Sequence, residues 1–227
     1  MKSAVVILSG GLDSSTNLAI AKDELEIKMA ITFDYGQRAA AKEIQASAAL
    51  CAHYGVKHKI LSISWVSEFG KSALIDKTLT VPTTEVKIDD KSASTKTASK
   101  VWVPNRNGIF LNIAAGFAEA MACDYVVPGF NLEEASTFPD NSNAFIEALI
   151  QSFSFSTANH VQAKCYTIDM MKTEILKTAI YKHLPLELVW PCYFDGDTWC
   201  GECESCQRSK RAFQANGLEL KKYFKTI

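Results

Sequence analysis

Two groups of residues in this chain have types and spacings that could do chemistry. Ser9-Gly10-Gly11-Leu12-Asp13-Ser14-Ser15 combines two glycines, three hydroxyls and a carboxylate. The glycines permit a tight turn and close approach by a ligand. Exposed backbone N–H groups, the serine hydroxyls and the positive end of a following helix can converge on phosphate oxygens. Asp13 would repel a phosphate unless a divalent cation lay between them, so it is assigned to a Mg²⁺ bridging a polyphosphate. The segment lacks the lysine of G-x-x-x-x-G-K-[ST] and does not read G-x-G-x-x-G, which disfavours a P-loop hydrolase that transfers the γ-phosphoryl group. The second group is Cys192-x7-Cys200-x2-Cys203-x2-Cys206. Four thiolates suit a tetrahedral Zn²⁺ at roughly 2.3 Å, and with every ligand a protein atom such a zinc would be structural. Gly196 and Gly201 supply turns, and Arg208, Lys210 and Arg211 can offset the charge. An iron–sulfur cluster competes, because spacing alone does not identify the metal.

The elements that must position these groups read as alternating strands and helices. An apolar run from Ala4 to Leu8 meets the glycines and then a helix-compatible stretch from Ser14 to Lys22. Further strands are expected at Lys28–Phe33, His58–Ile63, Asp124–Val127 and Lys164–Ile168. The helices between them are expected at Gln37–Tyr54, with Ile44, Ala48 and Cys51 at helical spacing, and at Asn107–Met121, with Ile109, Ile113, Phe117 and Ala120 on one face. One more is expected at Asn143–Phe153, burying Phe145, Leu149 and Phe153, and another carries Leu176, Ile180 and His183. Strands separated by helices require crossovers, so the fold class is α/β, a doubly wound, mostly parallel, Rossmann-like sheet. Residues 1–188 would form the phosphate-binding and catalytic domain and 189–227 a small zinc-binding module. The polar stretch from Thr83 to Lys100 has too few apolar side chains to hold itself in a core and is expected to be a mobile loop, a lid or insertion beside the nucleotide site.

Composition bounds the partners. Of 227 residues 48% are apolar and 22% charged, enough for one sizeable core, and the net charge of −1 gives no basic field for holding a nucleic acid. No apolar run approaches the roughly 20 residues of a membrane span. The amino-terminal stretch does not read as a signal peptide, and clustering of four of the seven cysteines favours thiolates on a metal over a disulfide framework. A cytoplasmic location is therefore expected. His53, His58, His160 and His183 form no metal pattern.

The SGGLDS run resembles the S-G-G-x-D-S loop of the N-type ATP pyrophosphatases, the PP-loop superfamily, in which a substrate oxygen attacks the α-phosphate of ATP and a nitrogen or sulfur nucleophile then displaces AMP. Together with the cysteine cluster, the chain resembles the QueC family of 7-cyano-7-deazaguanine synthases over nearly its whole length. Phe33-Asp34-Tyr35-Gly36-Gln37-Arg38, Val103-Pro104-Asn105-Arg106-Asn107, Asp169-Met170-Met171-Lys172-Thr173-Glu174 and Trp190-Pro191-Cys192-Tyr193 carry that resemblance. It implies C–N ligation: a 7-deazaguanine carboxylate is activated with ATP, ammonia gives the amide, and a second activation gives the nitrile used for queuosine or archaeosine. It implies that Leu8, Ser9, Gly10, Gly11, Leu12, Asp13, Ser14, Ser15, Thr16, Asn17 and Leu18 bind ATP. Asp13, Arg106 and Lys172 would be catalytic, the two cations balancing charge on the phosphates and on the carboxylate under attack. A homodimer is implied on the same ground.

At the substrate pocket the family often carries E-T-D-[FY]-S-G-Y-P-D-C-R. Here residues 131–142 read NLEEASTFPDNS, keeping only the shape of Phe138-Pro139-Asp140, and Ala39 stands where the family often has His. Glu133 or Asp140 could accept hydrogen bonds from a guanine-like edge, Phe138 could stack on the purine, and Arg38 is a further substrate-binding candidate. Alternatives are a related ligase that joins a deazapurine carboxylate to another amine, as relatives associated with phage defence do, and a noncatalytic nucleotide- or tRNA-binding zinc module.

Overall fold

The computed structural model describes residues 1–83 and 86–226. Five parallel strands, β1 (Ser3–Ile7), β2 (Glu26–Asp34), β3 (His58–Ser62), β4 (Tyr125–Val127) and β5 (Gln162–Ala163), form one sheet in the order β3-β2-β1-β4-β5. The α/β, doubly wound fold expected from the alternation is what the chain adopts. β1 lies at the centre, and Ala4, Val5 and Val6 have no exposed surface, as an apolar run buried on both faces requires.

The chain runs outward from β1 to β3, then returns past β1 to β4 and β5. The strand order therefore reverses between β1 and β4, and loops leaving these two strands part to open a crevice at their carboxyl ends. Helices α1 (Leu12–Glu24), α2 (Ala40–Tyr54), α4 (Arg106–Ala120) and α6 (Asn143–Ser156) make the crossovers. Next, α7 (Lys172–Tyr181) packs on α1, and α8 (Glu204–Ala215) packs on α7. One hydrophobic core runs through all of this and continues past residue 188 to Cys192, Trp199, Phe213 and Phe224.

Several elements differ from their sequence expectation. The expected loop of residues 83–100 contains a helix, α3 (Lys91–Val101), while Thr84 and Glu85 lie outside the described residues. Asp90 caps it, its Oδ1 accepting from the Ser92 and Ala93 amides at 2.9 and 3.0 Å, and Ser94, Thr97, Ala98 and Val101 are buried. Small polar residues can be core residues when their hydroxyls find local acceptors, as Ser94 does on the Lys87 carbonyl at 3.0 Å.

On α4 the fully buried face is Asn107, Gly108, Leu111, Ala114, Ala115 and Ala118, not the expected one; Ile109, Ile113 and Phe117 flank it and Ala120 is exposed. Small residues let the helix approach β1 closely, and the larger ones fill the margins. In α2 the buried side chains are Ala46, Ser47, Leu50 and Cys51, with Ile44 half-buried and Ala48 exposed; in α6 Ile146 replaces Phe145. His183 lies beyond the end of α7 and Ile180 is partly exposed.

The fifth strand ends before the expected Lys164–Ile168 because Asn17 captures that segment. Its Oδ1 accepts from the Tyr166 amide at 2.7 Å, and the Thr167 hydroxyl donates to the Phe130 carbonyl at 2.5 Å. These bonds replace a sheet ladder and hold the chain against the start of α1.

Gly129, just after β4, sits where a Cβ would lie 2.5 Å from the backbone nitrogen and Cα of Ser14. No flexible side chain can give way there. A Gly129→Ala substitution should therefore cost about 1–3 kcal/mol in urea denaturation and widen the crevice; an unchanged midpoint would contradict the close packing of these two loops.

Candidate active site

The glycine loop follows from its local hydrogen bonds. Gly10 adopts φ +75°, a conformation that L-residues rarely take, and an added Cβ would lie 2.7 Å from the Ala46 Cβ. The Ser9 and Ser14 hydroxyls are 3.0 Å apart, and the Gly11 amide donates to the Ser9 hydroxyl at 3.3 Å. Helix α1 then starts at Gly11, which has no side chain to cap it. Its first-turn amides are left for a ligand, the condition under which a helix terminus takes an anion.

The eleven expected ATP-binding residues divide into two sets. Leu8, Ser9, Gly11, Leu12, Asp13 and Ser14 line a chamber of about 220 Å³ at the crevice. Gly10, Ser15, Thr16, Asn17 and Leu18 do not line it, and the last four have no exposed surface. The Ser15 and Thr16 hydroxyls donate to the Gly11 and Leu12 carbonyls, each at 2.7 Å, so these residues build the loop's support.

Asp13 and Lys172 meet in the chamber, with Lys172 Nζ 2.5 Å from Asp13 Oδ2 and 3.3 Å from Glu134 Oε1. The lysine side chain is 4% exposed. Burial opposes its charge, but Asp13 and Glu134 outweigh it and raise its pKa. Asn131 Nδ2 donates to the same Asp13 oxygen at 2.9 Å, joining the β4 loop to the α1 start. Asp13 Oδ1 is buried with no hydrogen-bond partner among the described residues. An orphaned carboxylate oxygen beside uncapped helix amides fits a hard divalent cation.

Arg106, at the start of α4, lines the opposite wall. Its Nη1 donates to the Tyr35 hydroxyl at 3.1 Å and its guanidinium faces the Tyr35 ring at 5.7 Å. No carboxylate is within ion-pair distance of it among the described residues, although burial of Asp140 raises that acid's pKa and Arg106 pulls it back. Arg106 is thus a cation available to an anionic ligand. Phe33 and Phe110 stack with centroids 4.1 Å apart, and with Tyr35 and Phe138 they give the chamber an aromatic wall.

Of the expected substrate contacts, Glu133 turns inward, and Arg38 lines the chamber with its guanidinium bonded to backbone carbonyls. Glu133 is 3% exposed at its side chain, with Oε1 accepting the Lys172 amide at 2.7 Å and Oε2 held by Arg208 at 2.9 Å and by Arg211. Both oxygens are engaged, so Glu133 ties α5 (Leu132–Ala135), α7 and α8 together and leaves none for a guanine edge. Arg38 donates to the carbonyls of Ala73, Asp76 and Leu79 at 2.6, 2.9 and 2.5 Å, which makes it a clamp on that turn. Phe138 reaches the chamber wall and stacks on Trp102 with ring planes 7° apart. Asp140 stands behind this wall, hydrogen-bonded to Asn141 Nδ2 at 3.2 Å.

Sequence reasoning did not single out Glu43, Phe110, Asn131, Glu134 or Tyr193 as site residues, yet each lines the chamber or bonds to a group that does. The signal for Glu43 was its place five residues after the Phe33–Arg38 segment; Glu134 was visible only as one of an acidic pair.

The sulfur atoms of Cys192, Cys200, Cys203 and Cys206 lie within 4.8 Å of one another, with Cys200 and Cys206 3.8 Å apart. A tetrahedron with metal–sulfur bonds of roughly 2.3 Å has edges of about 3.8 Å. Backbone amides of Phe194 and Cys200 donate to Cys192 Sγ at 3.4 Å, and those of Glu202 and Cys203 to Cys200 Sγ at 3.3 Å, which favours thiolates. The set therefore fits a closed, four-thiolate metal site. It is not remote from the chamber: the Trp190 amide donates to the Gly10 carbonyl at 2.7 Å, Trp190, Pro191, Tyr193 and Ser205 line the chamber, and α8 begins at Cys203.

A family described as "Queuosine biosynthesis protein QueC" matches residues 3–217. The 7-cyano-7-deazaguanine synthase of Bdellovibrio bacteriovorus is 52% identical over 226 residues, covering 99% of this chain and 98% of that protein. Those of Methanosarcina mazei and Pelotomaculum thermopropionicum are 48% and 46% identical, covering 95% and 96% of this chain and 95% and 99% of theirs.

Replacing Lys172 by Met would leave Asp13 and Glu134 buried without their cation. We expect a loss of about 3–5 kcal/mol at neutral pH, read by urea denaturation, with part recovered in acid as the carboxyls take up protons. A variant as stable as the parent at pH 7 would contradict the shared ion pair.

Proposed function

The chain belongs to the QueC family, and we infer from this that it is an ATP-dependent ligase that makes 7-cyano-7-deazaguanine. The observation that carries the reading is the chamber itself, lined by uncapped α1 amides, Asp13, Lys172, aromatic rings and Arg106, which has no carboxylate partner among the described residues. We propose that the amides of the glycine loop and the Ser9 and Ser14 hydroxyls hold the pyrophosphate of ATP. The carboxylate of 7-carboxy-7-deazaguanine would then attack the α-phosphate, with the charge that develops there balanced by Arg106 and Lys172. The purine would lie against Phe33, Tyr35, Phe110 and Phe138. Ammonia would displace AMP to give the amide, and a second activation through the same groups would give the nitrile.

Asp13 Oδ1 would hold Mg²⁺, whose positive charge would offset the repulsion between a polyphosphate and this carboxylate. Cys192, Cys200, Cys203 and Cys206 would hold Zn²⁺, which cross-links residues 189–226 into a module. That module forms part of the chamber wall through Trp190 and Tyr193 and steadies the Glu133 clasp through Arg208. No helix among the described residues is long and apolar enough to cross a membrane, in keeping with a cytoplasmic enzyme that works on small molecules. A homodimer is the assembly we propose for it.

Pure protein given 7-carboxy-7-deazaguanine, ATP, Mg²⁺ and ammonium should yield the nitrile together with AMP and pyrophosphate, identified by mass spectrometry. A stable amide conjugate with another amine would support the related ligase, and no turnover would support the noncatalytic module. Stripping the metal, or a Cys203→Ser substitution, should open residues 189–226 to limited proteolysis and weaken ATP binding at least tenfold. A metal-free protein that binds ATP with full affinity would contradict the module's role in the wall.

A further inference from the structure

Three carboxylates line the chamber: Asp13, Glu134 and Glu43. The first two share the Lys172 ammonium. Glu43, in the first turn of α2, has no cation within ion-pair distance among the described residues. Among the described residues its carboxylate accepts one hydrogen bond, from Gln37, whose Nε2 donates to Glu43 Oε2 at 2.8 Å. The Gln37 amide cannot turn over, because its Oε1 accepts from the Tyr35 amide at 2.9 Å and its Nε2 also donates to the Phe33 carbonyl at 3.0 Å. The carboxylate is thereby fixed by one oxygen, and its Oε1 has no protein hydrogen bond among the described residues. The Glu43 carbonyl lies 3.0 Å from where a Gly10 Cβ would be, so this turn of α2 abuts the glycine loop.

We propose that Glu43 is the proton acceptor for the nitrogen nucleophile in the amination step, a role that rests on the synthase reading above. Ammonium entering the chamber passes a proton to the Glu43 carboxylate and becomes neutral ammonia, whose lone pair attacks the acyl carbon of the adenylate. The C–N bond forms and the C–O bond to AMP breaks. AMP leaves with that electron pair and takes up the adduct's surplus proton. No oxidant or reductant is needed.

The surroundings suit this exchange. Burial, with Asp195 from the metal-binding segment and Asp34 from the end of β2, pushes Glu43 up to about 7, while the Gln37 hydrogen bond and Arg106 from α4 act to hold it down. A group that titrates there can take and return a proton near neutrality. Asp13 and Glu134, bound to Lys172, are held for electrostatic work instead.

The test is Glu43→Gln in the full chain, followed in single turnover with 7-carboxy-7-deazaguanine, ATP, Mg²⁺ and ammonium. Pyrophosphate release should stay within about threefold of the parent while amide formation slows about 10²-fold, with KM for the deazaguanine unchanged. Glu43→Asp should recover part of the amide rate.

A second readout is independent of activity. A carboxyl whose pKa is raised by folding stabilises the protein below its ordinary value of 4.5 and loses that contribution as pH rises through about 7. Stability of the parent should therefore fall over this window more steeply than that of Glu43→Gln. Pyrophosphate release and amide formation falling together, a raised KM with an intact rate, no change in either product, or identical pH–stability profiles would each overturn the proposal. A parent enzyme that releases no pyrophosphate would defeat the synthase reading itself, and this inference with it.

Discussion

The site depends on one buried cation shared between two acids. Lys172 is brought by the start of α7, Asp13 by the start of α1 and Glu134 by the short helix after β4, so the contact exists only when three separate elements are in register. Buried ion pairs contribute little net stability over apolar replacements, because desolvation offsets the attraction, yet breaking one from a single side is costly. Such a contact is better understood as a device for fixing position and charge. Here it fixes the carboxylate of the glycine loop beside amides that attract anions and leaves its second oxygen with no hydrogen-bond partner among the described residues.

The same arrangement extends outward. The Lys172 backbone amide donates to Glu133, Glu133 accepts from Arg208 and Arg211, and Arg208 bonds Glu204, which lies between Cys203 and Cys206, at 2.8 Å. A metal held by the four thiolates would thus be mechanically connected to Lys172 through α8. The four-cysteine segment thereby meets the crevice at the strand-order reversal, where Trp190, Pro191, Tyr193 and Ser205 form part of the wall.

How far the sequence revealed this varied with the distance of the partners. The first four strands, the fold class, the glycine loop and the cysteine set were legible, because each is defined by neighbours in the chain. Helix α3 was not, because a run such as Ser-Ala-Ser-Thr-Lys-Thr-Ala-Ser reads as polar until its small side chains are seen packed and locally hydrogen-bonded. The wrong face was expected for α4 because size was taken as the measure of burial, whereas close approach to β1 selects glycine and alanine. Glu133 reads as a pocket residue, and Arg38, which does line the chamber, reads as a free cation, because a carboxylate or guanidinium near a motif looks available. Their partners, Arg208 and the carbonyls of residues 73–79, lie 75 and at least 35 positions away and leave no trace in the local pattern.

The central claim is that this chamber activates a carboxylate by joining it to the α-phosphate of ATP. Its most direct test is to supply 7-carboxy-7-deazaguanine labelled with ¹⁸O in the carboxyl group and examine the nucleotide product by mass spectrometry. Acyl-adenylate chemistry requires each AMP formed to carry one ¹⁸O atom. ADP and labelled inorganic phosphate, or AMP without label, would contradict it.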